Sequence, residues 1–119
     1  MLHAAALLIA LLGLAHSVLG ERYLLVRLFR RELPHLFGGP AFTRHTLRFA
    51  WHLTTVLAWA LALLLVQLAG PHDAVDLVRT IGGAMLVSGL LPLAITRGRH
   101  LSWLVLFAAG GLCLAWVPG

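Results

Sequence analysis

Four long apolar runs, separated by short segments that hold nearly all of the charge, decide most of what this chain can fold into. A membrane-spanning helix needs roughly 20 mostly apolar residues, with about 17 to 25 tolerated. Residues 2–20, 49–68, 80–95 and 101–117 meet or approach that length, the last two by borrowing flanking residues or by tilting little. Three spans is the only competing count. A soluble domain spends about 25% of its residues on charge. Here charged residues are 11% of the chain and hydrophobic ones 61%, which excludes a water-soluble globule. The expectation is one integral-membrane domain over residues 1–119, all-α, with the bilayer as its principal partner.

The breaks between the runs give the connectivity. Ala69-Gly70-Pro71-His72-Asp73 reads as a tight turn in which Asp73 caps the following helix. Thr96-Arg97-Gly98-Arg99-His100 is a second short turn. Short connections make successive helices neighbours, so an up-down-up-down four-helix bundle is expected. All nine basic residues are arginine. Arg22, Arg27, Arg30, Arg31, Arg44 and Arg48 fall in the first loop (residues 21–48), and Arg97 and Arg99 in the third. The second has only Arg79, against Asp73 and Asp76. The positive-inside rule then puts loops one and three in the cytoplasm and both termini outside. Of these arginines, Arg22, Arg27, Arg30, Arg31, Arg97 and Arg99 are placed to touch lipid headgroups. Bunched in short loops, they do not form the exposed stripe that nucleic-acid binding needs. The first apolar run lacks the basic start of a signal peptide and is expected to be a retained helix.

Within the first loop, residues 22–33 have helical spacing, with Arg27, Arg30 and Arg31 on one face. They form a cytoplasmic extension of helix one or a helix on the membrane surface. Pro34 ends it, Phe37-Gly38-Gly39-Pro40 turns the chain, and Thr43 or Thr46 caps helix two. Gly82, Gly83, Ser88 and Gly89 make one side of helix three small, the mark of a helix-packing surface. The lone Cys113 lies in an apolar run and reads as a packing residue.

Ionisable side chains inside a membrane are costly and point to function. His16, Ser17 and Glu21 close helix one, and His45, Arg48, His52 and Thr55 recur three or four residues apart along helix two. At 1.5 Å per residue, His16 lies ~7.5 Å deeper than Glu21, and His52 ~6 Å deeper than Arg48. The two histidines are therefore expected at one depth, facing each other, with Glu21 and Arg48 paired above them. The remaining histidines, His3, His35 and His72, read as loop residues, and Trp51, Trp103 and Trp116 as interfacial anchors, with Trp59 an exception.

The strings His16-Ser17-Val18-Leu19-Gly20-Glu21-Arg22, Thr46-Leu47-Arg48-Phe49-Ala50-Trp51-His52-Leu53-Thr54 and Arg97-Gly98-Arg99-His100 resemble small four-helix proteins of proteobacteria described as hypothetical. The resemblance covers most of the chain and implies a bacterial inner membrane. It carries no activity.

Three functions remain open at this point. The first is a non-enzymatic inner-membrane protein that packs its helices with itself or with a larger complex, its polar cluster only fixing register. The second is a redox protein binding haem or a metal ion through His16 and His52, with His45 and His100 as further candidate ligands. Against it, His45 and His52 lie ~10.5 Å apart along their helix, too far to share one ion. The third is a small-solute or ion transporter, which lacks a carboxylate deep in helix one. No catalytic residue stands out, since neighbours such as His16 and Ser17 point about 100° apart on a helix.

Overall fold

A computed structural model describes Met1–Gly119 as four helices joined by short connections, without strands. We number them α1 (Leu2–Leu28), α2 (Pro40–Leu68), α3 (Ala74–Ile95) and α4 (Ser102–Trp116). The first three are long and apolar enough to cross a membrane. The fourth is apolar throughout, but its 15 residues fall short of a full crossing.

Three of these helices are longer than their apolar runs. Helix α1 continues past residue 20, so the segment after it is an extension and not a separate surface helix. It contains a π-helical turn over Gly20–Leu25 and ends at Leu28, before Pro34 could break it. The chain turns early because Leu33 is drawn inward to 7% exposure and the Pro34 carbonyl accepts a 2.6 Å bond from Thr43. Helix α2 starts at Pro40, nine positions before its apolar run begins at residue 49 and ahead of both expected threonine caps. Phe37, Gly38 and Gly39 have φ of 42°, 103° and 132°, a left-handed run that only glycine adopts freely. The helix begins as soon as that run ends, with proline at its first position, where the missing N–H costs nothing. Neither expected threonine caps it: Thr43 bonds back to Pro34, and the buried Thr46 hydroxyl has no partner. Helix α3 starts at Ala74, six positions before its apolar run begins at residue 80. Asp73 caps it as expected, accepting from the Asp76 N–H at 2.8 Å.

The helices stand in a row. Each packs against its neighbours in sequence, α1 on α2, α2 on α3 and α3 on α4, and no other pair comes close. The molecule is accordingly flat, 51 × 32 × 15 Å. Of the expected up-down-up-down four-helix bundle the chain shows the four helices, set in a row in which α1 and α4 make no contact. Only 15 of 119 residues are buried, and long apolar side chains such as Leu8, Leu12, Val105 and Leu112 lie on the outside. In water that surface would be untenable, whereas in a bilayer it is solvated.

The seams differ in kind. Between α3 and α4 the contact is backbone to backbone. A Cβ on Gly110 would lie 2.8 Å from the Gly82 carbonyl, and one on Gly89 would lie 2.6 Å from the Phe107 ring. Gly82, Ser88 and Gly89 are thus used inside the chain, whereas Gly83 faces open space. Between α2 and α3, Gln67 and Thr80 exchange two hydrogen bonds of 2.8 and 3.0 Å. The seam between α1 and α2 holds the polar cluster.

Candidate functional site

Side chains one turn apart on α1 meet side chains one turn apart on α2, forming a ladder along the seam. At its lower end the Trp59 Nε1–H donates to the Ala10 carbonyl (3.1 Å). One turn on, the Thr55 hydroxyl donates to the Gly13 carbonyl (3.1 Å) and contacts the Ser17 hydroxyl at 2.6 Å. Ser17 also bonds His52 Nδ1 (2.8 Å), and His52 Nε2 bonds Glu21 Oε2 (3.0 Å). Glu21 in turn receives Arg48, through Nη2 to Oε1 at 2.7 Å and Nε to Oε2 at 3.3 Å. This two-point contact fixes the carboxylate plane. The Arg48 guanidinium lies over the Phe29 ring, 5.0 Å from its centre, where cation–π attraction adds to the hold. The expected Glu21–Arg48 pair is therefore present, and His52 joins it.

His16 is not where depth alone put it. It stacks on Trp51, ring centres 4.3 Å apart and planes 6° from parallel. The two residues bond reciprocally: Trp51 Nε1–H donates to the His16 carbonyl (2.9 Å), and His16 Nε2–H donates to the Trp51 carbonyl (3.1 Å). The reason is angular. Adjacent positions on a helix differ by about 100°, so once Ser17 faces the stripe of Arg48, His52 and Thr55, His16 is turned aside toward Trp51. Equal depth was right, and facing orientation was not. Trp51 is likewise part of the seam, and for Trp59, the exception among the tryptophans, α1 supplies the acceptor.

Gly20 makes this geometry possible. A Cβ there would fall 2.0 Å from Trp51 Nε1, inside the indole. The π-helical turn starts at this residue, at the level where Trp51 presses on the backbone and Glu21 turns to Arg48. Such turns recur at sites that must aim side chains out of ordinary register.

The other candidates lie apart. His45 faces Arg97 and Arg99 across a cleft. His100 sits between Phe42 and Phe49, ring centres 5.8 and 4.8 Å away, and bonds the Ser102 hydroxyl through Nδ1 at 2.8 Å. Arg27 and Arg31 line a groove beside Tyr23 and Leu24, and Arg22 lies over its neighbour Tyr23. Arg30 makes no side-chain hydrogen bond or ion pair.

The four histidines do not fit a haem or metal site. Both ring nitrogens of His52 are engaged, by Ser17 and Glu21, and the His16 ring is covered by Trp51. A macrocycle between them would have to displace the indole. No three of the chain's His, Cys, Asp and Glu side chains are grouped to hold an ion. Ser17, His52 and Glu21 do follow one another as nucleophile, base and acid would. Yet the Ser17 hydroxyl is also tied to Thr55, and the principal cavities are lined by other residues.

Sequence reasoning missed the Gln67–Thr80 pair, the role of Gly20 and the two seam tryptophans. Only the pairing of Gln67 with Thr80 had a readable signal, as polar residues on both sides of a short turn. Comparison with family profiles, curated proteins and solved structures returns no match for this chain.

Proposed function

We propose that this chain is a non-enzymatic multi-pass protein of the bacterial inner membrane that works by packing its helices against a second copy or a larger membrane complex. In this arrangement the row runs up-down-up-down, the α1–α2 and α3–α4 connections are cytoplasmic, and both termini are periplasmic, as arginine placement favours. Its polar cluster is a register device, since Ser17, Glu21, His52 and Thr55 are already matched within the chain and Arg48 turns two of its nitrogens to Glu21. Membrane side-chain hydrogen bonds average about 0.6 kcal/mol, so such a ladder aligns two helices more than it stabilises them.

The observation that carries this proposal is the groove between α2 and α3. It is a cleft of about 390 Å³ lined by Trp59, Ala60, Gly83, Ala84 and Val87 among others. A Cβ on Gly83 would meet nothing within 4 Å. Small residues along an open apolar groove let another helix approach closely, which is how helices associate in lipid. The glycine face of α3 thus splits in two, Gly82 and Gly89 serving α4 while Gly83 is left for a partner.

The test is cross-linking in native membranes, followed by mild solubilisation and sizing. The protein should be recovered in a discrete assembly, as a homo-oligomer or with one recurrent partner. A strictly monomeric chain with no cross-linked adduct would rule the proposal out.

A further inference from the structure

A second feature, at the other end of α2, is built from residues that the helix-packing role does not use. Phe42, His45, Thr96, Arg97 and Arg99 line a cleft of about 190 Å³ where the start of α2 meets the α3–α4 turn. No carboxylate borders it, and neither arginine takes part in an ion pair or side-chain hydrogen bond. The His45 ring is also without a hydrogen-bond partner. Phe42 is the third residue of α2, so the positive end of that helix dipole lies at the same wall. Gly39, at the helix start, brings no side-chain cap to offset it.

The backbone adds a further sign. Arg97 has φ 53°, in the left-handed region where glycine or asparagine is the easy choice. From that position Arg97 lines the cleft together with Arg99.

This cleft continues into a second one. Arg99 and Phe42 also border a hollow of about 430 Å³ completed by Phe37, His100 and Leu101. Phe37 is 88% exposed and Leu101 64% exposed, so the mouth of the basic cleft is apolar. A free anion would gain nothing from that mouth. A molecule with a phosphate head and an apolar body would fill both compartments.

We propose that the α2 start and the α3–α4 turn form a binding site for the phosphate group of an anionic phospholipid, held by Arg97, Arg99 and His45 with its glycerol and upper chains against Phe37, Phe42 and Leu101. Arginine suits a phosphate because its planar donors meet two oxygens at once. The site requires that the chain sit in a membrane. It does not require association with another protein, so it stands or falls separately from the α2–α3 groove.

The test is native mass spectrometry on single chains released from micelles loaded with equal phosphatidylglycerol and phosphatidylcholine. Wild-type protein should retain phosphatidylglycerol preferentially. Arg97→Gln with Arg99→Gln should weaken retention by roughly ten-fold or more, the size expected when charge-assisted bonds are lost. Arg44→Gln with Arg79→Gln removes the same charge outside the cleft, from side chains given no headgroup role, and should retain the lipid. Both cleft side chains are exposed and unpartnered, so helical content should be unchanged, and Arg97→Lys with Arg99→Lys should restore part of the binding. Equal loss in the two glutamine pairs would overturn the site in favour of diffuse surface charge. Displacement of the lipid by excess inorganic phosphate would overturn it in favour of a free anion.

Discussion

Single side chains hold the α1–α2 seam by spending their bonding capacity on one another. Glu21 is held by Arg48 and His52 at once, which makes it the hub of the α1–α2 seam. Glu21→Gln and Arg48→Gln should each loosen the seam, and together they should be less than additive. The coupling expected is about 0.6 kcal/mol, with a ceiling of about 1.7, measured by a double-mutant cycle on unfolding in detergent. Strict additivity would mean that the pair is decorative. Ser88 presents the opposite case. It is fully buried and its hydroxyl has no partner. Ser88→Ala should raise stability by about 1 kcal/mol, the penalty of a buried unmatched hydroxyl, seen as a higher melting temperature. A loss of stability would show that the hydroxyl is in fact bonded. Which residues gather was legible in the chain, because an Arg-x-x-x-His-x-x-Thr stripe opposite Ser-x-x-x-Glu can hardly avoid meeting it. Which histidine turns inward was not, since spacing along a helix gives depth and leaves rotation to the neighbour's shape.

At the scale of elements, glycine decides how near two helices come. Gly20→Ala should destabilise by about 1–3 kcal/mol, the usual effect of overfilling a tight contact, and should change Trp51 fluorescence as its stacking on His16 is lost. Gly83→Ala, with nothing near it, should be neutral or stabilise by up to about 1 kcal/mol through helix propensity alone. If the two behave alike in unfolding measurements, close approach is not what these glycines provide. Apolar run length located all four helices but set three boundaries too narrowly. Hydropathy marks where lipid can be, whereas helix ends are set by local chemistry: Asp73 before α3, and Gly39 with Pro40 before α2. The turn before α2 was readable in advance, but the expected cap at Thr43 or Thr46 put the helix start a few residues too late.

At the scale of the whole molecule, the row of helices was the least legible feature. Short connections make sequence neighbours pack, but closing a bundle also needs α1 to reach α4. Ser17 and Glu21 mark the face that α1 turns to α2, whereas nothing marks a second face of α1, or any face of the apolar α4, for protein and not lipid. Orientation is tested with single cysteines in a Cys113→Ala background. Phe37→Cys should react with an impermeant thiol reagent only in inverted vesicles, and His72→Cys only in intact spheroplasts; the reverse pattern would overturn the topology.

Whether the α2–α3 groove receives another helix is decided by one substitution. Gly83→Leu adds bulk where the chain itself has free space, so folding should be preserved while the groove is blocked. In native membranes, the cross-linked assembly seen with wild-type protein should disappear in Gly83→Leu while helicity and expression hold. An assembly that persists unchanged in the variant would contradict the claim.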